Sequence, residues 1–189
     1  TRLRNRGNVL SILLTSHHYR YAGDKLEKRN ILWATDSYSK HKATDTIKNE
    51  QITGINGKVI QPRAAKSKEE QKYRTKDKAE VFTPLEVVDQ MNKSIDWSSK
   101  NWPAGDNNWV DYISEKRLEI TCGEAPYITG RYNPTANTGI VIKTKNRVGF
   151  LDRKLQIVHK FVNSKKDWLK YAEIALKSSY GYEWQGDNL

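Results

Sequence analysis

Two short β-forming runs constrain this 189-residue chain more than any other feature. Leu118-Glu-Ile-Thr-Cys-Gly-Glu-Ala-Pro and Tyr180-Gly-Tyr-Glu-Trp-Gln-Gly-Asp-Asn-Leu each begin as a branched or aromatic strand and break into a turn that carries glycine and a carboxylate. A helical pattern from Trp168 to Leu176, with Trp168, Leu169, Ala172 and Leu176 on one side, stands immediately before the second run. Strands alternating with helices imply an α/β sheet. In a parallel sheet of this kind, ligands sit beyond the carboxyl ends of the strands. A glycine there lets the ligand approach the backbone, and a carboxylate can take ribose hydroxyls.

The remaining pattern is less regular. Residues 7–16 are apolar enough for a short core helix, and Ile31 to Thr35 reads as a strand by its branched and aromatic content. Residues 36–49 read as a polar helix or extended turn, and 54–78, rich in Gly, Lys, Glu and Gln, as a linker or surface segment. A change of texture at Ala79 divides the chain into a basic region, 1–78, and a second region, 79–189. In the latter, Thr83 is expected to cap a helix with Pro84 in its first turn and Leu85, Val88 and Met91 on one face. Residues 95–112, with Trp97, Trp102 and Trp109 among Ser, Asn, Pro and Gly, read as packed loop. Leu151, Leu155, Val158 and Val162 fall in helical register after Val148.

Composition narrows the class. Six Trp and ten Tyr are too many for a disordered chain. Cys122 is the only cysteine, so no internal disulfide forms and a reducing, cytoplasmic setting is expected. No apolar run approaches the roughly 18 residues of a membrane span, so no membrane partner is expected.

The net charge is +11, and residues 1–79 hold 18 Lys/Arg against 8 Asp/Glu while residues 80–189 hold 15 against 14. A basic first part suits a polyanion, because Lys and Arg displace counterions from a phosphate backbone. Arg2, Arg4, Arg6, Arg20, Lys40 and Lys42 are the expected contacts with double-stranded DNA. Tyr19, Tyr21, Trp33, Tyr38 and Tyr73 stand among these cations and suit either base stacking or core and rim. His17, His18 and His41 lack a second ligand type at metal spacing and read as surface or stacking residues, so no metal is expected.

Three phrases together resemble a known family. Ala79-Glu-Val-Phe-Thr-Pro before an apolar-faced helix resembles the Phe/Tyr-Thr-Pro element of adenine-specific DNA methyltransferases of restriction-modification systems. Leu118-Glu-Ile-Thr-Cys-Gly-Glu-Ala-Pro resembles their S-adenosylmethionine loop. Tyr180-Gly-Tyr-Glu-Trp resembles the next strand, whose acidic end binds the cofactor ribose. More narrowly, these phrases and Leu-Asp-Arg-Lys-Leu look like proteins labelled restriction endonuclease subunit M. The resemblance covers residues 79–189 and implies a partial Rossmann-like methyltransferase sheet preceded by a basic α+β region.

It further implies that Phe82, Thr83 and Pro84 line the methionine end of the cofactor, that Glu119, Thr121 and Gly123 shape the loop around it, and that Glu183 accepts from the ribose. Asp152 is the rival for the ribose. The loop's usual second glycine is Ala125 here, followed by Pro126, and 64 positions separate Glu119 from Glu183, so an insertion is expected, at residues 130–165. The family's Asn/Asp-Pro-Pro-Tyr/Phe segment, which holds a flipped adenine, is absent from this sequence; Asn133-Pro134-Thr135 is the nearest string. The expectation is either the front part of a methylase completed by further sequence or a partner subunit, or a derived module that binds DNA or a subunit without catalysis.

Overall fold

The computed structural model describes residues 8–16, 20–22, 25–96, 108–136 and 139–188. Arg2, Arg4, Arg6, His17, His18, Tyr19, Trp97 and Trp102 lie outside them. Two compact units form: Thr1–Gln61 with Trp184–Leu189, and Pro62–Glu183. The change of texture at Ala79 therefore falls inside the second unit.

The first unit holds α1 (Val9–Leu14), a hairpin of β1 (Arg20–Ala22) and β2 (Lys25–Glu27), and α2 (Asn49–Ile52). Its core is Leu14, Trp33, Ile47 and Ile52. Residues 31–35 form no continuous strand. Single bridges join Thr15 to Asn30 and Leu32 to Thr46, because Ala34 adopts a φ of +50° that interrupts pairing. The Trp184–Leu189 segment closes this unit: the Gly186 amide donates to the Trp33 carbonyl at 3.0 Å, and Tyr38 donates to Asp187 Oδ2 at 2.9 Å.

The second unit contains α3 (Lys68–Lys78), α4 (Leu85–Ile95), α5 (Asn108–Ser114), β3 (Arg117–Ile120), α6 (Phe150–Phe161), α7 (Lys165–Lys177) and β4 (Ser179–Tyr182). Strands β3 and β4 pair in parallel, Arg117 opposite Ser179 through Ile120 opposite Tyr182. The connection between them carries α6 and α7. The core packs Trp109, Tyr112 and Ile113 of α5 against Ile157 and Val158 of α6 and Ala175 of α7, with Leu151, Leu155, Val162, Trp168 and Tyr171 around them. No helix among the described residues is long and apolar enough to cross a membrane.

Four details depart from the sequence expectations. Residues 68–78, within the stretch read as a linker or surface segment, form a regular helix that is mostly exposed and is capped by the Ser67 hydroxyl, which accepts from the Glu70 amide. Trp109 belongs to a helix and not to a loop. Thr83 makes no cap, because Pro84, not Thr83, is the N-cap of α4 and uses no side-chain bond. In α7 the face turned inward runs through Trp168, Tyr171, Ala172 and Ala175, while Leu169 and Leu176 are each 55% exposed.

Buried polar groups set where β3 and β4 begin. Lys154, on α6, donates to the Glu115 carbonyl at 2.5 Å and to the Ser178 hydroxyl at 2.7 Å, residues just ahead of the two strands. Burial pushes its amine down to about 8. Asp96 gathers Tyr112, Arg117 and Arg153, which ties the end of α4 to the first residue of β3 and to α6.

Candidate functional site

The loop that follows β3 is shaped by its backbone. Thr121, Gly123 and Ala125 take φ values of +53°, +54° and +53°, three left-handed residues at every second position. For a β-branched residue such as Thr121 this conformation is an outlier, and strained residues cluster where a surrounding structure needs them. Ala125, followed by Pro126, keeps a backbone conformation that glycine ordinarily supplies. The turn closes through Ala125 N–H to the Cys122 carbonyl at 2.7 Å and Thr129 N–H to the Ala125 carbonyl at 2.9 Å.

Parallel pairing brings the ends of the two strands side by side. The Cys122 amide continues the ladder to the Tyr182 carbonyl at 2.9 Å, and the Gly123 amide donates to Glu183 Oε2 at 2.5 Å. Glu183, half-buried at the end of β4, thus meets the loop sixty residues before it. Glu119 points back under the same loop, where it accepts from the Ile128 amide at 3.1 Å and the Tyr127 amide at 3.5 Å. Burial raises the Glu119 carboxyl to about 7; its two amide partners oppose that shift and the nearby Glu183 carboxylate adds to it.

Cys122 lies buried between the two carboxylates. Burial first, then the charges of Glu119 and Glu183, push its thiol up to about 11, which disfavours the thiolate.

The Phe82 ring reaches the same loop. A Cβ built on Gly123 would stand 3.8 Å from two Phe82 ring carbons, so Phe82 forms one wall beside the glycine. Thr83 is half-buried and Pro84 exposed where α4 starts. Thr121 is exposed, its hydroxyl donating to its neighbour's carbonyl. Asp152 is not at a strand end: it sits in the first turn of α6 and accepts from the Gly130 amide at 2.7 Å and the Thr129 hydroxyl at 3.2 Å. Of the expected DNA contacts, Lys40 and Lys42 are exposed in the first unit and Arg20 lies in β1.

Several residues around the loop carry no sequence signal. The Arg63 guanidinium lies 4.7 Å over the Phe82 ring centre and its amide donates to Glu124 Oε1 at 2.7 Å, while Tyr132 donates to Glu124 Oε2. Gly181 does carry one, since glycine inside a strand marks close approach. A Cβ there would stand 2.7 Å from Ile128 Cδ1 and 3.2 Å from Cys122 Sγ.

Strand β3 turns Glu119 towards the loop and leaves Leu118 and Ile120 50% and 68% exposed; on β4, Tyr180 and Tyr182 are 43% and 61% exposed. The register places these four on one face. Among the described residues, no group of three or more His, Cys, Asp or Glu side chains is arranged to hold a metal ion. Comparison with known proteins returns no match for the chain: no protein-family model, no curated protein and no solved structure.

Proposed function

We propose that the chain carries the cofactor-binding part of a DNA-modification protein that resembles S-adenosylmethionine-dependent adenine-specific DNA methyltransferases of restriction-modification systems. The supporting observation is the parallel pairing of β3 and β4, which sets the Gly123 loop against Glu183 with the Phe82 ring on the glycine. It agrees with a partial Rossmann-like sheet.

The donor set fits an adenosyl group with a cationic tail. Glu183 supplies a carboxylate at a strand end, as ribose hydroxyls require. Glu183 makes the loop electronegative, and Glu119 adds to this as pH rises through about 7, which suits an ammonium or sulfonium. Phe82 supplies an apolar wall, and Glu119 holds the loop through two backbone amides. S-adenosylmethionine, when bound, supplies a sulfonium methyl that needs no general base to react. What the chain contributes is placement. The basic first region, with Arg20, Lys40 and Lys42, is the part that meets double-stranded DNA.

Calorimetric titration with S-adenosylmethionine tests the reading. Saturable binding at micromolar cofactor, weakened at least about tenfold by Glu183→Ala through loss of a charge-assisted hydrogen bond, is expected. Absence of heat at high micromolar cofactor overturns the proposal, and unchanged affinity in the variant removes Glu183 from the site.

A second reading is a non-catalytic module, derived from such a methylase, that binds DNA or a partner subunit. It is favoured by the internal engagement of both carboxylates, Glu183 with Gly123 and Glu119 with Tyr127 and Ile128. The exposed face of Leu118, Ile120, Tyr180 and Tyr182 agrees with it, because parallel sheets are normally covered on both sides. DNA binding on filters with and without S-adenosylmethionine separates the two, since only the first reading couples the ligands.

A further inference from the structure

The first unit holds a cavity of about 420 Å³ whose lining includes Lys40, which the reading above gives to DNA contact; a nucleic-acid occupant rests on that reading. The turn Ser37–His41 forms one wall; Gln51 of α2, Asn56 and Val59 form the other. No carboxylate lines it, although three acids hydrogen-bond the surrounding backbone and side chains. Asp36 Oδ1 accepts from the Ala43 amide at 3.1 Å, Asp45 Oδ2 from the Lys42 amide at 2.8 Å, and Asp187 Oδ2 from the Tyr38 hydroxyl. The acids build the turn, and the wall is left with donors.

Those donors are the Ser39 hydroxyl, the Lys40 ammonium and the His41 ring. Lys40 makes no ion pair among the described residues. His41 is held on two sides. Its ring stacks on buried Trp33, with centroids 4.6 Å apart and planes 5° from parallel, and Gln51 Nε2 donates to its Nδ1 at 3.4 Å. With Nδ1 accepting, the ring N–H stands at Nε2, a further donor. Gln51 is itself fixed, its Oε1 accepting from the Lys48 amide at 2.8 Å, and Asn56 is fixed by donating to the Glu50 carbonyl at 2.9 Å.

We infer that this cavity binds the oxyanion of a phosphate group, with Lys40 supplying the charge and Ser39 and His41 the hydrogen bonds. A cavity lined by one cation and by hydroxyl and ring donors, with no carboxylate, suits a tetrahedral anion, for which lysine acts as a point charge. The phosphate belongs either to the backbone of a nucleic acid or to a free phosphomonoester. The inference is independent of methyl transfer, since no group in the second unit takes part.

Calorimetric titration of the full chain with inorganic phosphate at constant ionic strength tests it, with Lys40→Ala set against Lys28→Ala. Both lysines are exposed in the first unit, and only Lys40 lines the cavity. Saturable binding should weaken about tenfold in Lys40→Ala and less than about twofold in Lys28→Ala. Ser39→Ala, which leaves the charge unchanged, should weaken it severalfold. Equal losses in the two lysine variants, or no saturable heat up to about 20 mM phosphate, overturn the assignment. A short DNA duplex then separates the sources. Competition between duplex and phosphate, with the same selective loss in Lys40→Ala, identifies a backbone phosphodiester; phosphate binding that leaves duplex affinity unchanged identifies a phosphomonoester.

Discussion

At Ala125 the conformation that glycine ordinarily supplies is kept by a residue that pays for it. A left-handed φ costs an L-residue about 1–2 kcal/mol relative to the right-handed region, and glycine is free of that cost. Ala125→Gly should therefore stabilise the protein by up to about 1 kcal/mol, after the greater unfolded-state entropy of glycine is subtracted. A urea midpoint that moves up without a change of slope is the expected result, and a lower midpoint shows that the alanine methyl makes contacts worth more than the strain. Glu119, six residues earlier in β3, gives the loop a pH dependence. Its carboxyl titrates near 7 in the folded protein against 4.5 unfolded, mainly because it is buried. A raised folded value means that the native state holds the proton longer, so this contribution is full below about 4.5 and is lost as pH rises through about 7. Urea midpoints measured from pH 5 to pH 8 should fall more steeply in the wild type than in Glu119→Gln, which keeps one acceptor oxygen, for the Ile128 amide, and cannot ionise. Parallel slopes show that Glu119 titrates alike in both states.

At the scale of elements, what could be read from the sequence depended on whether apolar residues alone define an element's buried face. Strands β3 and β4 were legible because branched and aromatic residues run up to glycine-bearing turns, and α6 because Leu151, Leu155, Val158 and Val162 repeat at helical spacing. Helix α3 was not: the residue it buries completely is Arg74, which pairs with Glu80 at 2.5 Å, and no apolar period announces a helix anchored by an ion pair. In α5, Trp109, Tyr112 and Ile113 do have helical spacing, but the Gly, Pro and Asn before them pointed to loop. The strand ends of the candidate site were legible, whereas Arg63 and Glu124, 61 positions apart, meet only through the tertiary fold. Lys154 is the element-scale determinant, since one ammonium joins the residues that open both strands. Lys154→Met keeps most of the stem and removes the donor, so it should cost about 1–3 kcal/mol, the penalty of leaving buried acceptors unpaired. Hydrogen exchange should show the Arg117 and Cys122 amides, which donate to Ser178 and Tyr182, losing protection first. A variant as stable as the parent means that hydrophobic packing alone fixes the strands.

Among the described residues two cores form that do not share residues, one around Trp33 and one around Trp109. The first is completed from far along the chain, because Trp184–Leu189 returns to it. Gly186 is the tightest point of that return. A Cβ there would stand 1.9 Å from the Leu32 carbonyl oxygen and 3.0 Å from Ile47 Cδ1, and the contact is with backbone, which cannot swing away. Gly186→Ala must push the segment off, which breaks the bond from the Gly186 amide to the Trp33 carbonyl and separates Asp187 from Tyr38. Overpacking of this kind costs about 1–3 kcal/mol, and the lost hydrogen bonds add to it. Because the cores are separate, the loss should be confined to one of them. Hydrogen exchange on Gly186→Ala should show the Trp33 and Ile47 amides, which donate to Asp45 and Ile31, exchanging faster, while the Phe150 and Leu151 amides of the second unit keep their protection. Equal loss in both sets means that the units unfold as one cooperative body. Unchanged protection in the first means that the closing segment contributes no stability to it.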